Sequence, residues 1–448
     1  MTTETLSSLD TLEDLLARAK RRGASEGDAI MFDSTDISAT IRKGKPESME
    51  RAESTGVALR VFVGKRSATV SSSDFKHNTL DELADRAVSM AKLAPEDPYA
   101  ALATPDLFAR DLPDLELYDA VEPSPEWLQE NATAVEDAAL AVKGITNSEG
   151  ASAGYSNNRI ALVTTNGFAQ SYLSSSFVLS VSVLAGSGTA MERDYDYSVA
   201  LHREDLTDPA IIGRKAAEKT VARLGAQKVN SCQVPIIFDP KIAKAFIATF
   251  AGAISGAAIA RDTSFLKKCM GEKVFANNIT ITDDPHIKRA LGSRPFDAEG
   301  VRTAKRNLIE NGILQSWLLD IRAANKLGLS TLGDASRSAT SPPHPSSSNL
   351  YLAAGDVSAK ELMADIKEGL YITDTFGSGS NLITGDVSVG AAGFWIENGI
   401  ITHPVNEFTI AGNLRDMYKR LTPANDLEFR YSTNAPTIRI EGMTVAGK

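Results

Sequence analysis

Along this chain, short alternating runs of apolar and polar residues predominate, punctuated by glycine and proline and interrupted by a few stripes of helical period. The first stripe covers residues 10 to 23. Leu12, Leu15, Leu16 and Ala19 share a face, Asp10 and Glu13 have capping-box spacing, and Gly23 can end the helix in the left-handed conformation. Residues 28 to 72 then read as short strands. Ala58 to Val63 alternates and is rich in branched and aromatic side chains, with Gly56 and Gly64 as turn points. A second stripe, 79 to 94, predicts a helix with Thr79 as N-cap and Leu80, Leu83, Ala87 and Met90 as its apolar face.

Five prolines (Pro95, Pro98, Pro105, Pro113 and Pro123) mark a connector and a domain boundary. An N-terminal α/β domain is therefore expected over 1–110. A middle helix–strands–helix domain is expected over 111–228. Ser124-Pro125-Glu126 starts its first helix, which runs to about Val142 and stops at Gly144. Residues 147 to 203 read as four or five antiparallel strands, and a closing helix runs from Asp208 to Leu224 before Gly225. In the last part, 229–448, Val234 to Phe238 reads as a buried strand, and Asp239-Pro240 caps a helix predicted to continue to about Ala260. Beyond Phe296 short strands prevail, with helices near 319–327 and 358–368. The fold class is α+β: N-terminal and middle α/β-type domains followed by a large β-rich C-terminal domain with a few helices.

Length and charge narrow the function classes. The 448 residues include 43% hydrophobic positions, enough for ordinary cores, and carry a formal net charge of −10, which argues against nucleic acid or an anionic membrane as a general partner. Cys232 and Cys269 have no paired-motif spacing and make neither a disulfide framework nor a cysteine-based zinc site. The segment Met1 to Asp10 has no signal-peptide pattern, and the apolar run Ile242 to Ala260 is too polar for a membrane span. A soluble cytoplasmic protein is expected.

Candidate chemistry is sparse. The histidines His77, His202, His286, His344 and His403 are singletons, so no helix face offers two imidazoles to a metal. His344, in Pro-Pro-His-Pro, is the most loop-like. Gly150-Ala-Ser-Ala-Gly154 fits the nucleophile-elbow pattern but lacks the preceding hydrophobic strand and following helix. Gly377-Ser-Gly-Ser-Asn-Leu lacks the third glycine of a dinucleotide fingerprint. Turn-forming residues cluster from Arg294 to Asn413. Within that stretch Asp297-x-Glu299-Gly300, flanked by Arg294 and Arg302, reads either as a salt-bridged corner or as a pocket wall or subunit contact.

A set of motifs in this last part resembles the TldD/PmbA family, in its PmbA (TldE) branch. They are Phe296-Asp-Ala-Glu-Gly-Val301, Gly328-Leu-Ser-Thr-Leu-Gly333, Pro345-Ser-Ser-Ser-Asn-Leu350, Gly385-Asp-Val-Ser-Val-Gly390, Glu397-Asn-Gly-Ile400, Ile410-Ala-Gly-Asn-Leu414 and Val445-Ala-Gly447. The resemblance implies a cytoplasmic metalloprotease complex of two related subunits, TldD and TldE, that cleaves unfolded peptides and processes peptide precursors such as microcins. It implies zinc in the TldD-like partner, held on a helix with the pattern His-Glu-x-x-x-His and by a later cysteine.

This chain departs from that pattern. Thr263-Ser264 and Gly271-Glu272 resemble the corresponding TldD loop, and counting back from them the resemblance places the metal motif near 247–252, where the sequence is Ile247-Ala248-Thr-Phe-Ala-Gly252. No histidine lies between His202 and His286, and no cysteine follows Cys269. Ile247, Ala248 and Gly252 are therefore degenerate metal-helix positions, and no cofactor is expected in this chain. The expected partner is a TldD-like homologue, with a homodimer possible when the chain is alone. Arg294, Asp297, Glu299, Asn349, Asn381 and Asn413 are the substrate or interface candidates, on turns expected to be exposed. Two other readings stay open: a homodimeric non-enzymatic binder of peptides or regulatory proteins, and a hydrolase with a metal on scattered ligands such as His286, His344 or His403.

Overall fold

The computed structural model describes residues 3–377 and 379–448, with side chains described from Ser8 onward. Strands β1 (Glu26–Arg42), β2 (Lys45–Val63), β3 (Arg66–Ser72), β4 (Ile145–Thr164), β5 (Ala169–Ala185) and β6 (Glu192–Ala200) form one antiparallel sheet in the order β3-β2-β1-β4-β5-β6. The pairing of β1 with β4, from Asp28↔Thr164 to Ile41↔Ala151, carries this sheet across the boundary expected at 110/111. Residues 147–203 make three long strands rather than four or five, because the serine- and glycine-rich stretches continue the ladder instead of turning.

Alternation along β1 divides the work of the two faces. Ala29, Met31, Ile37, Ala39 and Ile41 point to one side. There they pack under α1 (Thr3–Arg21) and α2 (His77–Leu93) at one end, and under α3 (Pro125–Leu140) and α4 (Pro209–Ala222) at the other. Ile30 points to the opposite side and joins Phe108, Phe168, Phe296 and Val301. That cluster seats the connector and the C-terminal part against the sheet. Ser124 caps α3 by accepting from the Trp127 amide at 3.2 Å, and Asp208 caps α4. Helix α2 begins two residues before Thr79. Its Oγ1 donates to Asp74 instead of capping, and Met90, expected on the apolar face, is 48% exposed.

The C-terminal part opens with β7 (Cys232–Phe238), which leads through the cap Asp239 into α5 (Pro240–Ala253). The helix expected to reach Ala260 breaks at Ile254-Ser255. There Gly256 lies against the Leu318 carbonyl (N···O 2.7 Å), an approach a Cβ would block, and a short α6 (Gly256–Ala260) follows. A small sheet orders β10 (Ile313–Leu314), β9 (Arg306–Glu310), β8 (Ile281–Asp283), β13 (Leu350–Leu352) and β18 (Thr433–Asn434). Strands β11 (Ala335–Ser336) and β12 (His344–Pro345) pair apart from it, and α7 (Ile321–Leu327) and α8 (Ala359–Met363) fall within the expected helices.

The larger C-terminal sheet orders β16 (Ile400–Asn413), β15 (Asp386–Glu397), β14 (Glu368–Phe376), β7, β19 (Ile438–Ala446) and β17 (Leu421–Pro423). Because β16 also pairs with β19 through Thr409↔Ala446, the strands β16, β15, β14, β7 and β19 close on themselves. Closure removes the free edges that an open sheet would expose. Helix α5 packs on this closed sheet through Ile242, Ile247 and Phe250, and α9 (Leu414–Lys419) adds Tyr418 to the same core.

Candidate functional site

The turn at 294–301 is not an exposed cavity lining. Asp297 and Glu299 are 1% and 3% exposed, at the seam between the first sheet and the C-terminal part. The Asp297 carboxylate organises its own turn, accepting from the Glu299, Val301 and Ala335 amides at 2.8, 2.9 and 3.0 Å. Glu299 accepts from the Ile321 amide at 2.8 Å and faces Arg60 at 3.4 Å. Burial pushes Asp297 up to about 6 and Glu299 up to about 8. For Glu299 the Arg60 guanidinium opposes that rise, and the Asp297 and Asp320 carboxylates add to it. Arg294 spends its guanidinium on the carbonyls of Ala335, Gly333 and Ser346.

Next to Glu299 lies an ion cluster that sequence reading missed. Asp28 of β1 pairs with Arg60 of β2 at 2.5 Å and with Arg337 from the C-terminal part, all three buried. Burial alone raises the Asp28 carboxyl, but the two guanidiniums outweigh it and hold it below the ordinary carboxylate range. The available signal was a charged residue at a strand position between apolar neighbours, in Gly27-Asp-Ala-Ile30. Its partners lie 32 and 309 residues away and leave no local pattern.

Asn349 is fully buried and also structural. It accepts from the Gly292 amide (2.8 Å) and donates to the Asp284 carbonyl (2.8 Å) and the Ser293 hydroxyl (2.7 Å). Asn381 and Asn413 do come together, through Asp386. The Asn381 amide donates to the Asp386 carbonyl at 2.8 Å, and Asn413 Nδ2 donates to Asp386 Oδ1 at 2.9 Å. Asn381 Oδ1 also accepts from the Ile383 amide, and Asn413 caps α9. Ser378, in the same loop, lies outside the described residues. The six candidates thus divide among the buried seam (Asp297, Glu299), turns held by hydrogen bonds within the C-terminal part (Arg294, Asn349) and one loop junction (Asn381, Asn413).

That junction stands beside α5. Ile247 is buried in the core, whereas Ala248 is exposed and Gly252 half-buried, facing Leu382. The open face of α5 therefore carries Ala245, Ala248 and Gly252, with Thr249 at its side. A cavity of about 270 Å³ flanks it, lined by Ile242, Phe246, Thr249, Gly379, Val389 and Ile410. None of these side chains is a metal donor. Among the described residues no three His, Cys, Asp or Glu side chains converge on a metal-sized site. His286 bonds Thr303, His403 bonds Thr402, and His344 sits exposed in β12. No described helix is long and apolar enough to cross a membrane.

Comparison with known proteins matches this architecture end to end. Models of the PmbA/TldA metallopeptidase family match in three consecutive parts: domain 1 at residues 27–91, the central domain at 118–224 and the C-terminal domain at 231–447. A metalloprotease PmbA homolog of Haemophilus influenzae is 38% identical, over 96% of this chain and 94% of that protein. Metalloprotease PmbA of Escherichia coli O157:H7 is 35% identical over 97% and 94%. A solved structure from Bacteroides thetaiotaomicron superposes with a TM-score of 0.90 at 28% identity, covering 98% of both chains. TldE from Thermococcus kodakarensis shares the fold, with a TM-score of 0.86 at 23% identity, covering 98% of this chain and all of that one. With the three family domains in order along one chain and the same fold in TldE, this protein belongs to the PmbA/TldD metallopeptidase family, in its PmbA (TldE) branch.

Proposed function

We propose that this chain is the metal-free member of a two-subunit peptidase. It pairs with a homologue that carries His-Glu-x-x-x-His, and the homologue supplies the zinc. The observation that carries the reading is helix α5. It lies in the part matched to the metallopeptidase C-terminal domain, yet its candidate positions are Ile247, Ala248 and Gly252. Zinc needs imidazole, thiolate or carboxylate donors, and these side chains do not fit it. No hydrolytic step is therefore routed through this chain.

Its role in the pair is to shape the space in which an unfolded peptide or peptide precursor lies. Helix α5 supports this with a floor of small side chains and an apolar cavity beside it. The edge strands β3 and β6 of the first sheet offer backbone for sequence-tolerant strand addition. The cytoplasm is the proposed compartment.

The test is reconstitution. Purified chain is mixed with the metal-bearing homologue, and cleavage of an unfolded peptide is followed with and without a chelator. Activity that neither subunit shows alone, lost on chelation and restored by zinc, is the expected result. A stable homodimer that ignores the homologue, or stoichiometric zinc in the isolated chain, would overturn the proposal.

A further inference from the structure

The N-terminal turn of α5 carries an unassigned site. A cavity of about 410 Å³ lies where the first sheet and helix α4 meet the C-terminal part. Edge strand β6 contributes Tyr195 and Tyr197, α5 contributes Lys241, and the loop before β18 contributes Tyr431. The three tyrosines form a continuous wall: Tyr195 stacks on Tyr197 (centroids 6.1 Å, 20°), and Tyr197 meets Tyr431 at 5.7 Å. Each lysine ammonium lies over one of these rings, Lys241 over Tyr195 at 4.0 Å and Lys244 over Tyr431 at 3.1 Å.

The two lysines differ in what balances their charge. Lys241 has Asp194 at 4.0 Å. Lys244, half-buried, lies on the face of a ring, and among the described residues no carboxylate is paired with it. Burial, and then the charge of Lys241, push its ammonium down to about 8. A desolvated cation held by a π face alone gains most when an anion arrives.

We propose that Lys244, with Lys241 and the Tyr197–Tyr431 wall, holds the α-carboxylate of a peptide lying along the open face of α5. The site deepens the peptide-handling role proposed above and rests on it. Most carboxylates around the cavity are already engaged. Asp196 is taken by Lys219, Glu428 by Arg430, Asp239 by the Lys241 amide and the Tyr371 hydroxyl, and Asp426 by Thr437. Glu218 and Lys215 of α4 complete the charged wall, and Lys244 stands at its margin over Tyr431, without a carboxylate partner among the described residues. With about as many carboxylates as cations around it, the site suits a singly charged carboxylate better than a doubly charged phosphate. Past Lys244 the helix face continues with Ala245, Ala248 and Gly252, which let a peptide backbone come close. The cavity at Phe246 and Val389 takes an apolar side chain.

The experiment uses the full chain and a fluorescein-labelled unstructured hexapeptide in two forms, with a free C-terminal carboxylate or a carboxamide. Binding is read by fluorescence anisotropy. The free carboxylate is expected to bind about tenfold more tightly, the scale of one charge-assisted hydrogen bond. Lys244→Met should bring the two affinities within about twofold without weakening the carboxamide, and Lys244→Arg should keep the preference. Thermal melts confirm that both variants are folded. Equal binding of the two forms by the unmodified chain, or a preference that survives Lys244→Met, overturns the carboxylate site but leaves pairing with the homologue standing, since reconstitution measures that separately. Displacement of the carboxylate peptide by equimolar inorganic phosphate would mark a phosphate site and overturn it as well. Failure of both peptides to bind overturns it along with peptide capture by the isolated chain.

Discussion

Replacing one oxygen at the seam, by Asp28→Asn, tests what joins the first sheet to the C-terminal part. Among the described residues Asp28 is the carboxylate that pairs with Arg337, whose side chain is fully buried and whose Nε and Nη2 already lack hydrogen-bond partners. Arg60, its other partner, would be left with Glu299 at 3.4 Å, a carboxyl whose ionisation burial opposes. The substitution therefore leaves two buried guanidiniums without an effective counter-ion. Breaking a buried pair in this way costs about 3–5 kcal/mol, a large share of the roughly 5–15 kcal/mol that holds a typical domain.

The assay is urea denaturation at pH 7, with circular dichroism and tryptophan emission recorded separately because a chain of this size need not unfold in one step. The double substitution Asp28→Leu/Arg337→Met removes both members of the buried pair and should recover part of the loss. The Asp28 contribution is present above the ordinary carboxylate range and is lost as pH falls through the lowered folded value. A loss below about 1 kcal/mol for Asp28→Asn, the range of an exposed pair, would refute the account of the seam.

Three further outcomes follow from named contacts. Glu299 has a folded value near 8, above its unfolded one, so its ionisation opposes folding and the chain should lose stability as pH rises from about 4.5 towards 8; Glu299→Gln should flatten that slope in melts recorded from pH 5 to 9. Gly213→Ala places a Cβ 2.2 Å from the Val135 carbonyl where α4 crosses α3, and should lower stability by about 1–3 kcal/mol in the same denaturation assay. Gly252→Ala meets only Leu382, at an ordinary 3.4 Å, so the isolated chain should be unchanged or up to about 1 kcal/mol more stable, while reconstituted peptide cleavage should fall.

Local signals carried most of the elements, and long-range pairing accounts for the failures. Ser124-Pro125 and Asp239-Pro240 marked helix starts because a cap and its first-turn proline are adjacent in sequence. The motifs at 294–301 and 345–350 showed where turns lie but not which way they face. A carboxylate that bonds the amides two and four residues ahead, as Asp297 does, has the same sequence in a solvent loop as in a buried seam. The break of α5 at Ile254 was equally hidden, because its cause is the Leu318 chain pressed against Gly256. Closure of the barrel between Thr409 and Ala446 and the union of the first two parts in one sheet are pairings with no periodic trace.

The two faces of α5 make the argument for an outside partner. Its buried face is accounted for within the chain: Ile242, Ile247 and Phe250 fill the core, and Phe250 packs edge-on against Phe275 at 5.3 Å. Its open face is not. An exposed helix face in a lone protein favours long polar side chains, which keep helix propensity and solubility, and glycine there costs about 1 kcal/mol relative to alanine. This face carries Ala245, Ala248 and Gly252, although the nearest neighbour leaves room for a Cβ at 252. Among the described residues nothing requires side chains that small, which supports the proposed approach of a backbone from outside; in that proposal the two lysines at the head of the same face set the charge of what can approach.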